Sequence, residues 1–393
     1  MTAQTKRAIF ILVLSEFLVC LGISLVIPVM PFIKNELHLT ATDMGIMTAL
    51  FALAQFVASP IVGRLSDRIG RKPVLVVGLA LYMVSEILFA LTNHLYMFNI
   101  SRLVGGLSAA MVVPTAMALA ADITTHRQRA KVIGWLSAAF SGGLILGPGI
   151  GGLLAKIDYK APFWSAGALG LLSAIALAWL LPNFKTQLTE ATAPKPLKGQ
   201  LKGLLTGAIV LLFALILISS FGLQGFESIY SIYVNEVFHF SLGNIALVLT
   251  LNGLTSLFLQ VVLFDRLVVW FQETRVIRYC FLISALGTIW ILLAHQKWEV
   301  IVATLFVFSA FDLLRPAITT LLTKISPDNQ GLINGLNMSL TSVGNIIGPI
   351  MSGALLDVSP HYPYVIVTFF LIASFGMTYW LKLTYQTMDR TAA

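Results

Sequence analysis

Five places in this chain put ionisable side chains inside long apolar runs: Glu16, Glu86, Arg102, Glu227, and Asp312 with Arg315. A charge at membrane depth costs roughly 2.5–3.5 kcal/mol on insertion scales, so such groups face a protein interior and carry function by default. Glu227 lies in F-G-L-Q-G-F-E-S-I-Y-S, where helical spacing puts Gln224, Tyr230 and Ser231 on its face. The carboxylate supplies charge and the rings offer cation–π contact. One such acid can hold either a proton or an organic cation, which is the requirement for coupled exchange. Asp312 and Arg315 are three apart and share a face that Phe308 and Thr319 extend, and Pro316 follows at once. Arg102 does not deprotonate, so it is a fixed cation that can tune a nearby carboxylate or clamp backbone carbonyls. Glu16 is a further candidate acid in the first run. Glu86, in the outer half of the third, is expected to reach the outer headgroups or a neighbouring helix.

The elements that position these groups are twelve apolar segments. They fall near 7–33, 42–64, 73–92, 97–121, 128–154, 162–181, 204–234, 242–264, 275–294, 299–322, 331–356 and 362–384, each long enough to cross a bilayer. Hydrophobic residues make up 58% of the chain and charged residues 11%, with mean hydropathy +0.88. So few charges cannot cover a soluble surface of this size, which makes lipid the solvent. Of the 25 Lys and Arg, nineteen lie on the side of both termini, four on the other and two within spans. The positive-inside rule therefore places both termini in the cytoplasm. The net charge of +8 is a topology signal, and no basic patch interleaved with aromatics points to nucleic acid. Cys20 and Cys280 sit in apolar runs and read as small core residues. No metal-ligand cluster, cofactor motif, H-E-x-x-H or G-x-S-x-G occurs, so neither an enzyme nor a bound cofactor or metal is expected. The polar stretch 183–202 divides the chain into halves 1–182 and 203–393 and reads as a cytoplasmic linker.

Glycine patterning links those halves. G-L-I-L-G-P-G-I-G-G at Gly143–Gly152 nearly recurs as G-N-I-I-G-P-I-M-S-G at Gly344–Gly353, an offset of 344 − 143 = 201 residues. A repeat in corresponding membrane helices is the signature of secondary transporters built from two related halves. Between the second and third segments stands G-R-L-S-D-R-I-G-R-K, Gly63 to Lys72. Asp67 can cap a helix or pair with an arginine there, while Arg68, Arg71 and Lys72 face anionic lipid. A degenerate echo, L-F-D-R-L at 263–267, keeps Asp265 and Arg266 but neither Gly63 nor Gly70 has a counterpart.

These motifs resemble those of the major facilitator superfamily, and specifically its twelve-span drug:proton antiporters. Gly63–Lys72 matches the superfamily loop pattern. Gly143, Gly147, Pro148, Gly151 and Gly152 match the antiporter pattern of the fifth helix. L-G-I-S-L-V-I-P-V-M-P, with Pro28 and Pro31, matches the first-helix signature of the drug branch. The likeness covers essentially the whole chain and is nearest to the NorA/Bmr-type multidrug exporters of Gram-positive bacteria. The resemblance implies that Glu227 and Asp312 are proton-coupling acids, with Arg102 and Arg315 as motif arginines. It also implies that Phe51, Gln55, Tyr230, Ser231, Phe308, Thr341 and Asn345 line a drug pocket, with Phe140 and Ser141 in the same region of the fifth helix. Two departures stand out. Gly105 replaces the glutamine usual before the motif glycine, and Glu16 is not expected in this group.

The expected molecule is an all-α membrane protein with twelve transmembrane helices in two pseudo-symmetric six-helix bundles. Segments 1, 2, 4, 5, 7, 8, 10 and 11 are expected to line a central cavity. It would be a monomer in the cell membrane of a bacterium, its partners the bilayer, protons and small-molecule drugs. The expected activity is proton-coupled efflux of diverse amphipathic, often cationic compounds by alternating access. A narrower exporter of the same fold (for a tetracycline-like drug, sugar or peptide metabolite), a lipid translocase and a non-transporting receptor are the rival readings.

Overall fold

The computed structural model describes residues 3–182, 207–325 and 330–392. The expected linker at 183–202 lies outside them. The described residues form helices and no strands. The spanning helices are α1 (Ala3–Leu25), α2 (Ala41–Ile69), α3 (Arg71–Leu91), α4 (Leu95–Asp122), α5 (His126–Leu154), α6 (Ala161–Leu180), α7 (Gly207–Phe238), α8 (Leu242–Phe258), α9 (Glu273–Leu293), α10 (Lys297–Ile325), α11 (Gln330–Val358) and α12 (Tyr362–Ala392). Twelve stretches among the described residues are long and apolar enough to cross a membrane. This is a multi-pass membrane protein.

Two spans are less regular than their hydropathy suggests. The first run, expected as one crossing, breaks at a 3-10 turn, Ile27–Val29, and resumes as a short helix, Met30–Glu36. Pro28 and Pro31 cause this, since neither donates a backbone hydrogen bond and each sits in the first turn of its new element. After α8 the chain widens into a π-helical turn, Leu259–Leu263, before the short helix Phe264–Phe271.

The chain divides into two compact units, Met1–Glu190 with His239–Gly253, and Ala191–Phe238 with Leu254–Ala393. In the first, α1 packs on α5 and α6, and α4 packs on α2 and α3. The α1/α5 contact is made backbone to backbone. A methyl group at Gly143 would lie 2.6 Å from the Phe17 carbonyl oxygen, and one at Gly147 2.8 Å from that of Leu21. Ser24 Oγ donates to the Gly143 carbonyl at 3.0 Å. Small residues give van der Waals contact where lipid offers no hydrophobic drive. The first half of α8 belongs to this unit through the same fifth helix, where a methyl at Gly152 would sit 2.7 Å from Ala246 Cβ.

In the second unit α7 packs on α11 and α12, and α9 on α10 and α12. Gly344 and Gly348 stand where Gly143 and Gly147 do. Added methyls would lie 2.7 Å from Phe221 N and 2.9 Å from Gly225 N. The repeat therefore performs one task twice, seating the fifth helix of each unit on its first.

Candidate functional site

The second unit gathers the two acids. Glu227 on α7 is exposed and accepts a hydrogen bond from Gln224 Nε2 at 3.2 Å. It lies within electrostatic reach of Asp312 on α10. Asp312 is half-buried and accepts from Ser256 Oγ of α8. Arg315, which shares a helix face with Asp312, is exposed and makes no ion pair with it. The hydrogen-bond partner of Asp312 is thus a neutral hydroxyl.

Behind the acids stands an aromatic cluster. Phe226 packs edge-on against Phe308, centroids 5.1 Å apart, and lies 5.8 Å from Tyr230, which meets Phe308 at 5.7 Å. Tyr364 approaches Phe226 at 4.9 Å and Tyr233 at 4.5 Å. Edge-to-face packing satisfies the ring quadrupoles and fixes the wall rigidly. Tyr230 and Phe308 are 1% and 3% exposed, and Ser231 is also buried. They form the body of the wall. Thr341 and Asn345 on α11 are half-buried. Thr341 Oγ1 reaches Asn337 at 3.5 Å, and Asn337 donates to Thr319 at 3.2 Å.

The first unit holds a different constellation. Arg102 lies over the Phe89 ring at 4.5 Å, and Phe89 also stacks with Phe98 and with Phe163 at 4.3 and 4.4 Å. Facing Arg102 across a cavity of about 30 Å³ are Glu86, Tyr82, Phe51, Gly105 and Ser108. Glu86 is 3% exposed, so the neighbouring-helix alternative holds and the headgroup alternative does not. Its four-residue spacing from Tyr82 in the apolar third helix puts the two on one helix face. Gly105 is also explained. A side chain there would meet Ser85 Oγ at 2.8 Å and the Phe51 ring at 3.3 Å, so the packing around it leaves no room for a larger residue. Glu16 is 2% exposed, with Oε1 unpartnered. Gln55 is half-buried on α2, Phe140 is 37% exposed on α5, and Ser141 beside it is half-buried. The structure does not bring these three into contact with the Arg102 cavity.

The charged loop is built as the motif requires. Arg71 Nη1 pairs with Asp67 at 2.6 Å, its Nε pairs with Asp122 at 3.0 Å, and Ser66 Oγ accepts from Nη1 at 2.6 Å. Lys72 donates to the Leu181 carbonyl at 2.6 Å. One loop thereby ties the ends of α2, α3, α4 and α6. Gly70 makes the turn at φ +97°, a conformation left to glycine. Arg68 is exposed. Gly63 shows no packing need, since a methyl there meets nothing within 4 Å.

The model of the Major Facilitator Superfamily matches residues 12–273 and 212–392. The chain is 42% identical over 368 residues to Multidrug resistance protein 1 of Bacillus subtilis (strain 168), covering 94% of each. It is 38% identical over 359 residues to the Quinolone resistance protein NorA of Staphylococcus aureus, covering 91% of this chain and 92% of that one. Among solved structures, a bacterial homologue of the human lysosomal transporter Spinster matches with TM-score 0.81 at 16% identity, covering 98% of both chains. The nucleoside transporter NupG matches with TM-score 0.83 at 10% identity, covering 96% of this chain and 100% of that one. These two likenesses concern the fold.

Proposed function

The chain belongs to the major facilitator superfamily, and we propose that it exports amphipathic, often cationic drugs and dyes in exchange for protons. The observation that carries this is the pairing of Glu227 with Asp312: two carboxyls within electrostatic reach, beside a rigid aromatic wall, neither held by a cationic side chain. Two nearby negative charges without a countercharge repel, so each added proton or one organic cation relieves the same strain. Protons and drug compete for one site, which is the condition for antiport. Protonation from outside expels the drug; proton loss to the cytoplasm readies the acids for the next. The names of the multidrug and quinolone resistance relatives support this cargo.

In this reading Arg102, Arg315 and Glu16 take part in proton coupling. Gln55, Phe51, Phe140, Ser141, Tyr230, Ser231, Phe308, Thr341 and Asn345 contact cargo during the cycle. The protein acts as a monomer in the cell membrane, with both termini cytoplasmic and the halves 1–182 and 203–393 as the moving parts of alternating access. Glu227→Gln and Asp312→Asn are tested in proteoliposomes loaded with ethidium under an imposed pH gradient. Each variant abolishes gradient-driven efflux while leaving the protein folded. Gradient-driven efflux at the wild-type rate in the double variant refutes the assignment.

A further inference from the structure

The buried cluster around Glu86 is not explained by the acids of the second unit. Serine pairs draw α3 and α4 together: Ser85 Oγ donates to the Ser101 carbonyl at 2.8 Å, Ser101 Oγ returns the bond to the Ser85 carbonyl at 2.9 Å, and Ser108 Oγ reaches the Gly78 carbonyl at 2.7 Å. That clamp forces the next side chains of both helices into one cavity. Four buried polar atoms of residues that line it have no hydrogen-bond partner among the described residues: Glu86 Oε2, Tyr82 Oη, and Arg102 Nε and Nη2. Each is an expensive thing to bury unanswered. Arg102 leans on the Phe89 face rather than closing on Glu86, and no ion pair within 4 Å joins them. The cavity of about 30 Å³ has a mostly apolar lining that these three polar side chains interrupt, and it has room for one or two water molecules.

We propose that Glu86 is a second proton-binding carboxyl, bridged by water to Arg102 and Tyr82, and distinct from Glu227 and Asp312. Proton gain takes the Glu86/Arg102 pair from zero net charge to +1; the carboxylate accepts the proton on an oxygen and no other bond changes. The groups that face it leave little else to answer its charge. Tyr82 is on its own helix. The fourth helix offers Arg102 and Ser101, and the second Phe51. The sixth carries no ionisable group at 161–180. From the first, Cys20 lies near Tyr82, and Glu16 lies near Cys20. Glu16, Cys20, Tyr82 and Glu86 are all buried on the first and third helices, and Arg102 is the cation among the groups that line the cavity. The inference deepens the proton-coupled reading and rests on it for the proton's use in transport, but not for proton binding itself.

The test is infrared difference spectroscopy of the full-length protein in lipid, stepped between acid and alkaline buffer, in a Glu227→Gln/Asp312→Asn background. That background silences the two acids of the proposed efflux site, so a result at Glu86 stands whether or not they prove to drive efflux. A protonated-carboxyl band that disappears with pH is expected there, lost in Glu86→Gln and retained at a shifted position in Glu86→Asp. Replacing Arg102 by Gln moves the midpoint of that band towards higher pH. A spectrum in which Glu86→Gln, shown folded by an unchanged melting midpoint, removes no titrating band overturns the proposal. If Glu86→Gln does not fold, a Glu86→Asp spectrum whose carboxyl bands coincide with the background's overturns it equally.

Discussion

The two units share a scaffold and differ in where they keep their charge. Positions 201 or 202 residues apart do the same structural work. His38 and His239 both turn with positive φ, at 51° and 52°. The next helix in each is capped by a hydroxyl, from Thr40 to Asp43 N at 3.0 Å and from Ser241 to Asn244 N at 3.3 Å. Arg71 pairs with Asp122 in the first unit and, 202 residues on, Glu273 pairs with Lys324 in the second. That is the same link between the third and fourth helices with its signs exchanged. The ionisable groups stranded within the spans do not repeat. Glu86 and Arg102 correspond to Thr288 and Thr304; Glu227 and Asp312 correspond to Val26 and Ala110. The comparison teaches that the repeat conserves geometry, which any suitably small or oppositely charged pair can satisfy. The stranded charges stand at different positions in each unit, and a charge at membrane depth is costly to keep.

The largest way to break the comparison is to spoil the shared seating of the fifth helix of each unit. Gly147→Leu and Gly348→Leu push side chains into facing backbone that lies within 2.9 Å of an added methyl. Each should cost about 3 kcal/mol or more, beyond ordinary overpacking because backbone cannot rotate away. Loss of monodisperse protein on size-exclusion chromatography is the expected outcome for both, and unequal loss would show that the halves differ in packing as well as charge.

The turn before the third helix sharpens the comparison. Gly70 holds φ +97°, ψ 154°, and its counterpart is Gln272 at φ +64°, ψ 153°. This region is essentially glycine's alone, and a side chain there costs about 1–3 kcal/mol. Gly70→Ala should lower the melting temperature, whereas Gln272→Gly should raise it. A fall in the Gln272→Gly protein would mean that its side chain contributes more than the strain it causes.

The exchanged ion pairs give the smallest effect. Arg71 answers Asp67, Asp122 and Ser66, while Glu273 is paired with Lys324, whose side chain is 57% exposed. Solvent screens partly exposed pairs, so Glu273→Gln should cost about 0.5 kcal/mol and Arg71→Gln about 1–2 kcal/mol. Thermal melts in matched detergent measure both, and equal losses would deny Arg71 its wider network.

The sequence alone determined the class, the twelve spans, the repeat and the suspect charges. Each of these depends on local rules: segment length against bilayer thickness, the rarity of charge in lipid, and glycine spacing along one helix face. What it did not determine was partnership. Asp312 and Arg315 share a helix face, yet Asp312 bonds to Ser256 on another helix and Arg315, exposed, makes no ion pair with it. From sequence, Glu86 could reach either the outer headgroups or a neighbouring helix; its burial, with α3 and α4 clamped by serines, places it in the cavity that Arg102 also lines. Spacing fixes which residues lie on a face; which face meets which is decided by packing among elements far apart in the chain, and that choice is made only when the helices are assembled.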